Sequence, residues 1–137
     1  MKIEVLAQAN PEILTNPINN QSAVYRITED GFTFLVLGDL GAEAGEKLLK
    51  SGEDVKADGV QMAHHGQQGV KEEFYKQVQP TYCFWSTPDW LWTNHDGKGP
   101  FKTLETRAWM EKLNTVNITN FDHTVVFDSV TKEVKRF

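Results

Sequence analysis

The sequence predicts a single α/β domain built on a mixed sheet flanked by helices, with mostly parallel central strands. Short apolar segments alternate with segments of helical periodicity along the 137 residues, which is typical of strands joined by crossover helices. No repeat or linker-like stretch divides the chain. A chain of this length is expected to form one domain, residues 1–137, with a sizeable buried core.

The N-terminal part is predicted to form one strand, a hairpin and a helix. Residues 2–8 are strand-like, whereas two Asn-Pro pairs disfavour helix in residues 10–20. Residues 22–28 and 32–38 are apolar strand segments on either side of a Glu-Asp-Gly turn. Residues 42–52 have helical periodicity and end at a glycine, which predicts the first helix.

Strands and helices continue to alternate in the C-terminal part. The last predicted helix has Leu104, Ala108 and Trp109 on one face, and we expect that face to be buried. The predicted strands of this part are residues 59–63, 81–86, 115–119, 124–128 and 132–137, and the helices are residues 70–78 and 102–113.

Composition and charge argue against several classes of protein. A net charge of −5 is opposite to that of a surface made for nucleic-acid phosphates. No apolar run approaches the roughly 20 residues of a membrane span, and the single cysteine, Cys83, excludes an internal disulfide. If Met1 is the natural start, the N-terminus has no signal peptide and the sequence predicts a cytoplasmic protein.

Polar residues follow three of the predicted strands. Asp39 comes after the strand over residues 32–38, and His64 and His65 come after the strand that ends at Ala63. Asn94, His95 and Asp96 lie in the loop after the strand over residues 81–86. If these three strands are neighbours, the carboxylate and two or three imidazoles converge on one edge of the sheet. Zn²⁺ takes that set of ligands readily, and a catalytic zinc needs three protein ligands with one open position.

These residues also have purely structural interpretations. Asp39 can act as the N-cap of the helix that starts near Ala42. Adjacent histidines in a loop are usually solvated or hydrogen-bonded. The residues alone therefore indicate a candidate metal site and leave the structural alternative open.

The loop after the next strand is predicted to contact a small-molecule substrate. Trp90, Trp92, Asn94 and His95 lie close together in it, whereas Trp85, on the strand itself, is expected in the core. Aromatic side chains in such a loop suit a sugar face, a base or a quaternary ammonium group. The sequence does not choose among these ligands.

Four segments together carry a resemblance to a known family. They are NNQSAVYRI (19–27), FLVLGDLGAEAGEKLL (34–49), DGVQMAHHGQQGV (58–70) and QPTYCFWSTP (79–88). In this order and spacing they resemble the metallo-β-lactamase superfamily, and most closely the branch that includes the DNA-uptake competence proteins and a choline-phosphate esterase. The His-His-Gly element after Gly-Asp is the most specific part of the resemblance.

The resemblance implies a metal-dependent hydrolase, acting on a phosphoester. In it Asp39 matches a carboxylate that bridges two zinc ions, His65 matches a late metal ligand, and His64 matches a group that faces the substrate phosphate or leaving oxygen. Two such ions activate a water and hold the oxygens of a displacement at phosphorus. The aromatic loop and the acidic charge argue against carrying over a nucleic-acid substrate.

The resemblance covers only the C-terminal half of the family's αββα sandwich. Members carry a His-x-His-x-Asp-His signature that supplies most metal ligands, whereas the four histidines here are His64, His65, His95 and His123. We therefore expect a weakly occupied or empty zinc site and no hydrolase activity in residues 1–137 alone. We also expect a homo-oligomer that buries the apolar sheet face left by the missing half. The alternative is a non-catalytic α/β binding or assembly module that keeps the scaffold.

Overall fold

The chain, described over residues 1–137 by a computed structural model, folds around a six-stranded mixed sheet. The strand order in the sheet follows the order in the chain. The first three strands are antiparallel neighbours, and the third to sixth run parallel. The strands are β1 (Lys2–Ala7), β2 (Val24–Glu29), β3 (Phe32–Val36), β4 (Gly59–Gln61), β5 (Tyr82–Trp85) and β6 (Val116–Thr119).

Helices connect the parallel strands, as a crossover topology requires. Helix α1 (Ala42–Lys50) joins β3 to β4, and α2 (Glu72–Val78) joins β4 to β5. The connection from β5 to β6 contains two short helical turns, α3 (Asp89–Trp92) and α4 (Asn94–Gly97), and then α5 (Thr103–Lys112). None of these helices has the length and apolar character that crossing a membrane requires.

The core lies between one face of the sheet and the three longer helices. Cα partners on neighbouring strands point to the same face, and Leu35 pairs with Val60, which pairs with Cys83. These three side chains are fully buried in one hydrophobic cluster. Burial in that cluster raises the pKa of the Cys83 thiol to about 12. The helices contribute Ala44, Leu48, Phe74, Tyr75, Val78 and Met110 to the same cluster.

The opposite face of the sheet is also apolar and is only partly covered. A C-terminal hairpin of β7 (Val125–Phe127) and β8 (Val134–Arg136) lies on it, and the Phe127 ring is 4.9–5.4 Å from the rings of Phe32, Tyr82 and Phe84. We call this side the open face. The strand pairing assigns to it Ile3, Val5, Tyr25, Ile27, Phe34, Phe84, Val116 and Ile118.

The predicted α/β architecture with parallel central strands is confirmed. Every predicted strand and helix is present, with its ends within two residues of those expected. The structure contains one six-stranded and one two-stranded sheet, so the second half of an αββα sandwich remains a proposal.

The prediction that Leu104, Ala108 and Trp109 form the buried face of the last helix is wrong. Leu104 is 41% exposed, and the buried residues of α5 are Thr103, Thr106 and Met110. Met110 packs against the sheet, where its sulfur lies 3.5 Å from the sulfur of the buried Cys83. Trp109 is half-buried against the core, as expected of one member of the predicted face.

Candidate functional site

Asp39 lies on a tight turn that directly follows β3. Gly38 has a φ of +56°, which favours glycine, and the Asp39 N–H donates to Ser22 Oγ at 3.2 Å. The side chain of Gln61, on β4, accepts from the N–H groups of Leu37 and Gly38 at 2.9 and 2.7 Å. The neighbouring strand therefore fixes the position of the turn.

His64 and His65 lie on a 3₁₀ turn (Ala63–Gly66) that directly follows β4. Both residues adopt left-handed backbone conformations, with φ of 48° and 57°. Such conformations are uncommon for residues with a side chain and persist where the surroundings hold them. The His64 N–H donates to Gly38 O at 3.0 Å, so the two turns that carry the polar residues are joined directly.

Two aromatic side chains support the histidine turn from the core. The Ala63 N–H donates to the hydroxyl of Tyr75 on α2 at 3.2 Å, and burial raises the Tyr75 pKa so that the phenol stays neutral. Gly66 has a φ of +76°, and a Cβ there would lie 2.1 Å from Cζ3 of Trp85. Glycine is thus required after the histidines both by the positive φ and by the lack of room for a Cβ beside Trp85. Trp85 is buried in the core, as predicted.

The side chains of Asp39 and His65 face each other across the two turns. His65 Nε2 is 3.7 Å from Asp39 Oδ1, and the side chains are 47% and 45% exposed. On its other side, His65 Nδ1 is 2.8 Å from the Ser86 carbonyl oxygen, and Thr87 Oγ1 donates to His65 O at 2.7 Å. A carbonyl only accepts, so Nδ1 carries the proton and Nε2 of the neutral ring has a free lone pair.

This arrangement suits a shared cation. A neutral Nε2 and a carboxylate oxygen are both acceptors, and 3.7 Å is too long for a hydrogen bond between them. Zinc binds such atoms at about 2.0–2.2 Å, so one ion reaches both from a position between them. The described residues contain no group of three His, Cys, Asp or Glu side chains that could hold a metal ion. The pair therefore supplies at most two acceptor atoms to a cation at this edge of the sheet.

Asp39 does not cap helix α1, so the interpretation of this residue as an N-cap is wrong. The N-cap position is Gly41, which has no side-chain hydrogen bond. The fully buried Asn20 caps the helix from another segment, since its Oδ1 accepts from the Ala44 N–H at 3.0 Å. Asn20 Nδ2 also donates to Glu43 Oε2 at 2.9 Å, and this hydrogen bond lowers the Glu43 pKa. The Asp39 carboxylate is left facing His65.

His64 is oriented by a different contact from that of His65. Its ring is half-buried, and Nδ1 lies 3.2 Å from the side-chain nitrogen of Asn19. The two imidazole centroids are 6.2 Å apart. The adjacent histidines are therefore held separately, one by the segment before β2 and the other by the segment after β5.

The residues predicted to bind substrate separate into two environments. Trp90 is 49% exposed, and its ring stacks on His95 with centroids 5.1 Å apart. Trp92 instead packs edge-on against Trp85 at 5.0 Å and lies beneath the guanidinium of Arg107 at 4.1 Å. Trp90 and His95 thus present an accessible aromatic surface, whereas Trp92 belongs mainly to the packing of the domain.

Asn94 shapes its own loop. The side chain is buried, Nδ2 donates to the carbonyls of Gly99 and Phe101, and Oδ1 accepts from the Phe101 N–H. These bonds hold a left-handed turn in which His95 and Asp96 have φ of 50° and 55°. A role of Trp90, Trp92, Asn94 and His95 in substrate binding stays a prediction.

The polar residues that hold the site together were not predicted to have a role. Asn19, Asn20 and Ser22 precede β2, and Gln61 lies in an otherwise apolar strand. A polar side chain in a short buried strand is a signal for a specific hydrogen bond, because burial without a partner is costly. Gln61 could have been recognised in this way.

Comparison with known proteins gives one partial similarity. No known protein-family profile matches the chain. The chain is similar to ComE operon protein 3 of Bacillus subtilis (strain 168), with 31% identity over 81 residues. The aligned part is 58% of this chain and 10% of that protein, so the chain covers only about a tenth of the length of the curated relative it matches. The partial similarity agrees with the resemblance to the competence-protein branch, but it does not identify a family domain in this chain.

Proposed function

We propose that this chain is the C-terminal part of a metallo-β-lactamase-like domain that hydrolyses a phosphoester with bound zinc. The observation that carries the proposal is the pair Asp39 and His65, which follow neighbouring parallel strands and face each other at 3.7 Å. The partial similarity to ComE operon protein 3 supports the same family branch. The substrate is a small phosphoester, since the chain is acidic and the nearby loop is aromatic.

The chain's own residues hold and orient two of the metal ligands. His65 is fixed by the carbonyl of Ser86, an arrangement that sets the ring orientation and leaves Nε2 for the ion. The backbone of the Asp39 turn is fixed by Ser22 and Gln61, and the Asp39 carboxylate would supply an oxygen ligand to the metal. When bound, zinc lowers the pKa of a coordinated water and polarises the phosphoryl oxygen.

The remaining ligands come from outside these residues. Two zinc ions need more protein ligands than Asp39 and His65 supply. We propose that a His-x-His-x-Asp-His segment, in a second half-domain that covers the open face, completes the site. Residues 1–137 alone are then inactive and bind zinc weakly.

A second candidate function is a non-catalytic α/β binding or assembly module. It is favoured by the absence, among the described residues, of a third metal-ligating side chain beside the pair. In this case the contacts around the turns preserve the scaffold without chemistry. The coding sequence upstream of Met1 discriminates the two functions. An in-frame His-x-His-x-Asp-His segment supports the hydrolase. A ribosome-binding site just upstream, with the Met1 codon as the genuine start codon, supports the module.

The hydrolase is tested on the full product of the gene, with bis(4-nitrophenyl) phosphate as substrate and zinc in the buffer. Asp39→Asn and His65→Gln are expected to lose more activity than the about 10–100-fold that loss of an outer-shell partner costs. His123→Gln, at an exposed position, is the matched control and keeps the parent activity. Equal activity of the Asp39 variant and its parent would contradict the proposal.

A further inference from the structure

The Nδ1 atoms of the two adjacent imidazoles have different kinds of partner: one faces a hydrogen-bond acceptor and the other a donor. Nδ1 of His65 faces a carbonyl oxygen, that of Ser86, at 2.8 Å. Nδ1 of His64 faces an amide nitrogen, that of Asn19, at 3.2 Å. The carbonyl only accepts and the amide nitrogen only donates, so the two rings cannot share one tautomer.

We infer that Asn19 is a positioning residue that holds His64 in the Nε2–H tautomer, opposite to the tautomer of its neighbour. Nδ1 of His64 accepts the proton of the Asn19 amide, so the ring proton of neutral His64 resides on Nε2. His65 has its ring proton on Nδ1 and a lone pair on Nε2. One histidine is thereby a hydrogen-bond donor at Nε2, and the other is an acceptor there.

The backbone on both sides of the Asn19–His64 contact is held by neighbouring residues. Asn20, the next residue after Asn19, is fully buried and hydrogen-bonded to Thr15 O, Glu43 and the α1 N-terminus. The His64 backbone is fixed by its N–H bond to Gly38 O. Asn19 itself begins the 3₁₀ turn Asn19–Gln21. With the backbone held at both ends, the Asn19 amide and the His64 ring stay within hydrogen-bond distance of each other.

The opposite tautomers give the two histidines different tasks. Nε2 of His65 can complete a cation site with Asp39, whereas Nε2–H of His64 can donate to a negatively charged oxygen. Resting on the proposed function, this deepens it: Asn19 keeps the Nε2–H of His64 available to the phosphoester oxygen that the resemblance places beside it. Asn19 touches neither ion nor oxyanion and acts only through His64.

The tautomers are measured by long-range ¹H–¹⁵N correlation spectra of the imidazoles in residues 1–137, without metal, at about pH 9, where imidazole is neutral. The expected spectra show His64 as Nε2–H and His65 as Nδ1–H. In Asn19→Asp the donor becomes an acceptor, so His64 is expected to change to Nδ1–H while His65 stays unchanged. Asn19→Leu, which offers neither, is expected to give a mixture at His64 alone.

Asn120→Asp is the matched control, because Asn120 is exposed and lies in the loop after β6. It should change neither histidine. His64 found as Nδ1–H in the parent chain, or unmoved in both Asn19 variants while the backbone spectrum remains that of the folded chain, would overturn the inference. Because no metal is added, this result is independent of zinc binding, whose failure would instead overturn the proposed function.

Discussion

At the scale of single residues, the site depends on backbone conformations that few residues adopt. His64 and His65 have left-handed conformations, as do Gly66, which follows them, and Gly38, in the turn that carries Asp39. The histidine turn persists because the Tyr75 hydroxyl accepts from the Ala63 N–H and the Gly38 carbonyl accepts from the His64 N–H. Backbone strain held by surrounding structure is common where side chains must be aimed at a ligand.

Comparing Gly66→Ala with Gly31→Ala separates the cost of a positive φ from the cost of a steric clash. Gly66 and Gly31 have the same φ of +76°, but an added Cβ meets Trp85 at 2.1 Å in the first case and nothing within 4 Å in the second. We expect Gly31→Ala to cost about 1 kcal/mol of unfolding free energy, and Gly66→Ala about 2–4 kcal/mol, because overpacking adds to the strain. Urea unfolding measures both. Equal costs would show that the contact with Trp85 relaxes freely.

At the scale of elements, the segment before β2 organises the start of α1. Asn20 replaces the missing side-chain cap of that helix and is held by the Thr15 carbonyl. Gly41 allows this approach, because a Cβ at that position would lie 2.3 Å from Asn20 Oδ1. The segment that positions His64 through Asn19 is therefore tied to the helix that follows Asp39.

Asn20→Ala is expected to destabilise the chain by about 2–3 kcal/mol. The change leaves the buried Ala44 N–H and the Thr15 carbonyl without their partner and removes a helix cap. The urea unfolding midpoint measures the loss. Asn120→Ala, at an exposed position with no side-chain contact of this kind, is the control and should change the free energy of unfolding by less than about 0.5 kcal/mol.

The effect of Asn20→Ala is also expected to depend on pH. The Asn20 hydrogen bond lowers the Glu43 pKa below its ordinary value of 4.5 in the folded chain. Stability from this bond is therefore present above pH 4.5 and is lost as the pH falls through the lowered pKa. The difference in urea midpoint between the parent and Asn20→Ala should be larger at neutral pH than near pH 3. A difference that is constant or grows on acidification would contradict the assigned cause.

Particular residues show how much of this arrangement could be predicted. Asp39, His64 and His65 end apolar segments, and the βαβ pattern brings such ends together, so their shared edge was predictable. The buried face of α5 was not, because Thr103 and Thr106 are polar and their burial follows from tertiary packing around Met110. The contact of Asn19 with His64 joins positions 45 residues apart, and no local pattern encodes it.

At the scale of the whole molecule, the sheet is protected unequally on its two faces. Helices bury the central part of one face, whereas on the open face Ile3, Val5, Tyr25 and Val116 are 39–56% exposed. The hairpin of β7 and β8 covers only the part near Phe32, Tyr82 and Phe84. Exposed apolar patches of this kind mark surfaces that bind another protein surface.

We propose that residues 1–137 alone associate as a two-fold dimer through the open face. A two-fold axis places the same apolar residues of both copies together and removes them from water. Sedimentation equilibrium at micromolar concentration is expected to give a dimer for the parent chain and a monomer for the double variant Val5→Lys, Val116→Lys. Leu14→Lys with Ile18→Lys, at positions 84% and 85% exposed outside the sheet, is the control and should remain dimeric. A monomeric parent chain would contradict this prediction.

The central claim is that Asp39 and His65 share a metal ion, and a zinc titration of residues 1–137 followed by imidazole ¹⁵N spectra tests it most directly. Because the chain supplies only two ligands, we expect weak binding that shifts the Nε2 resonance of His65 and leaves those of His95 and His123 in place. Asp39→Asn should abolish the shift, whereas Asp89→Asn, at an exposed position on α3, should not. A His65 shift that is unchanged in Asp39→Asn, or zinc binding at His95 or His123 instead, would contradict the claim.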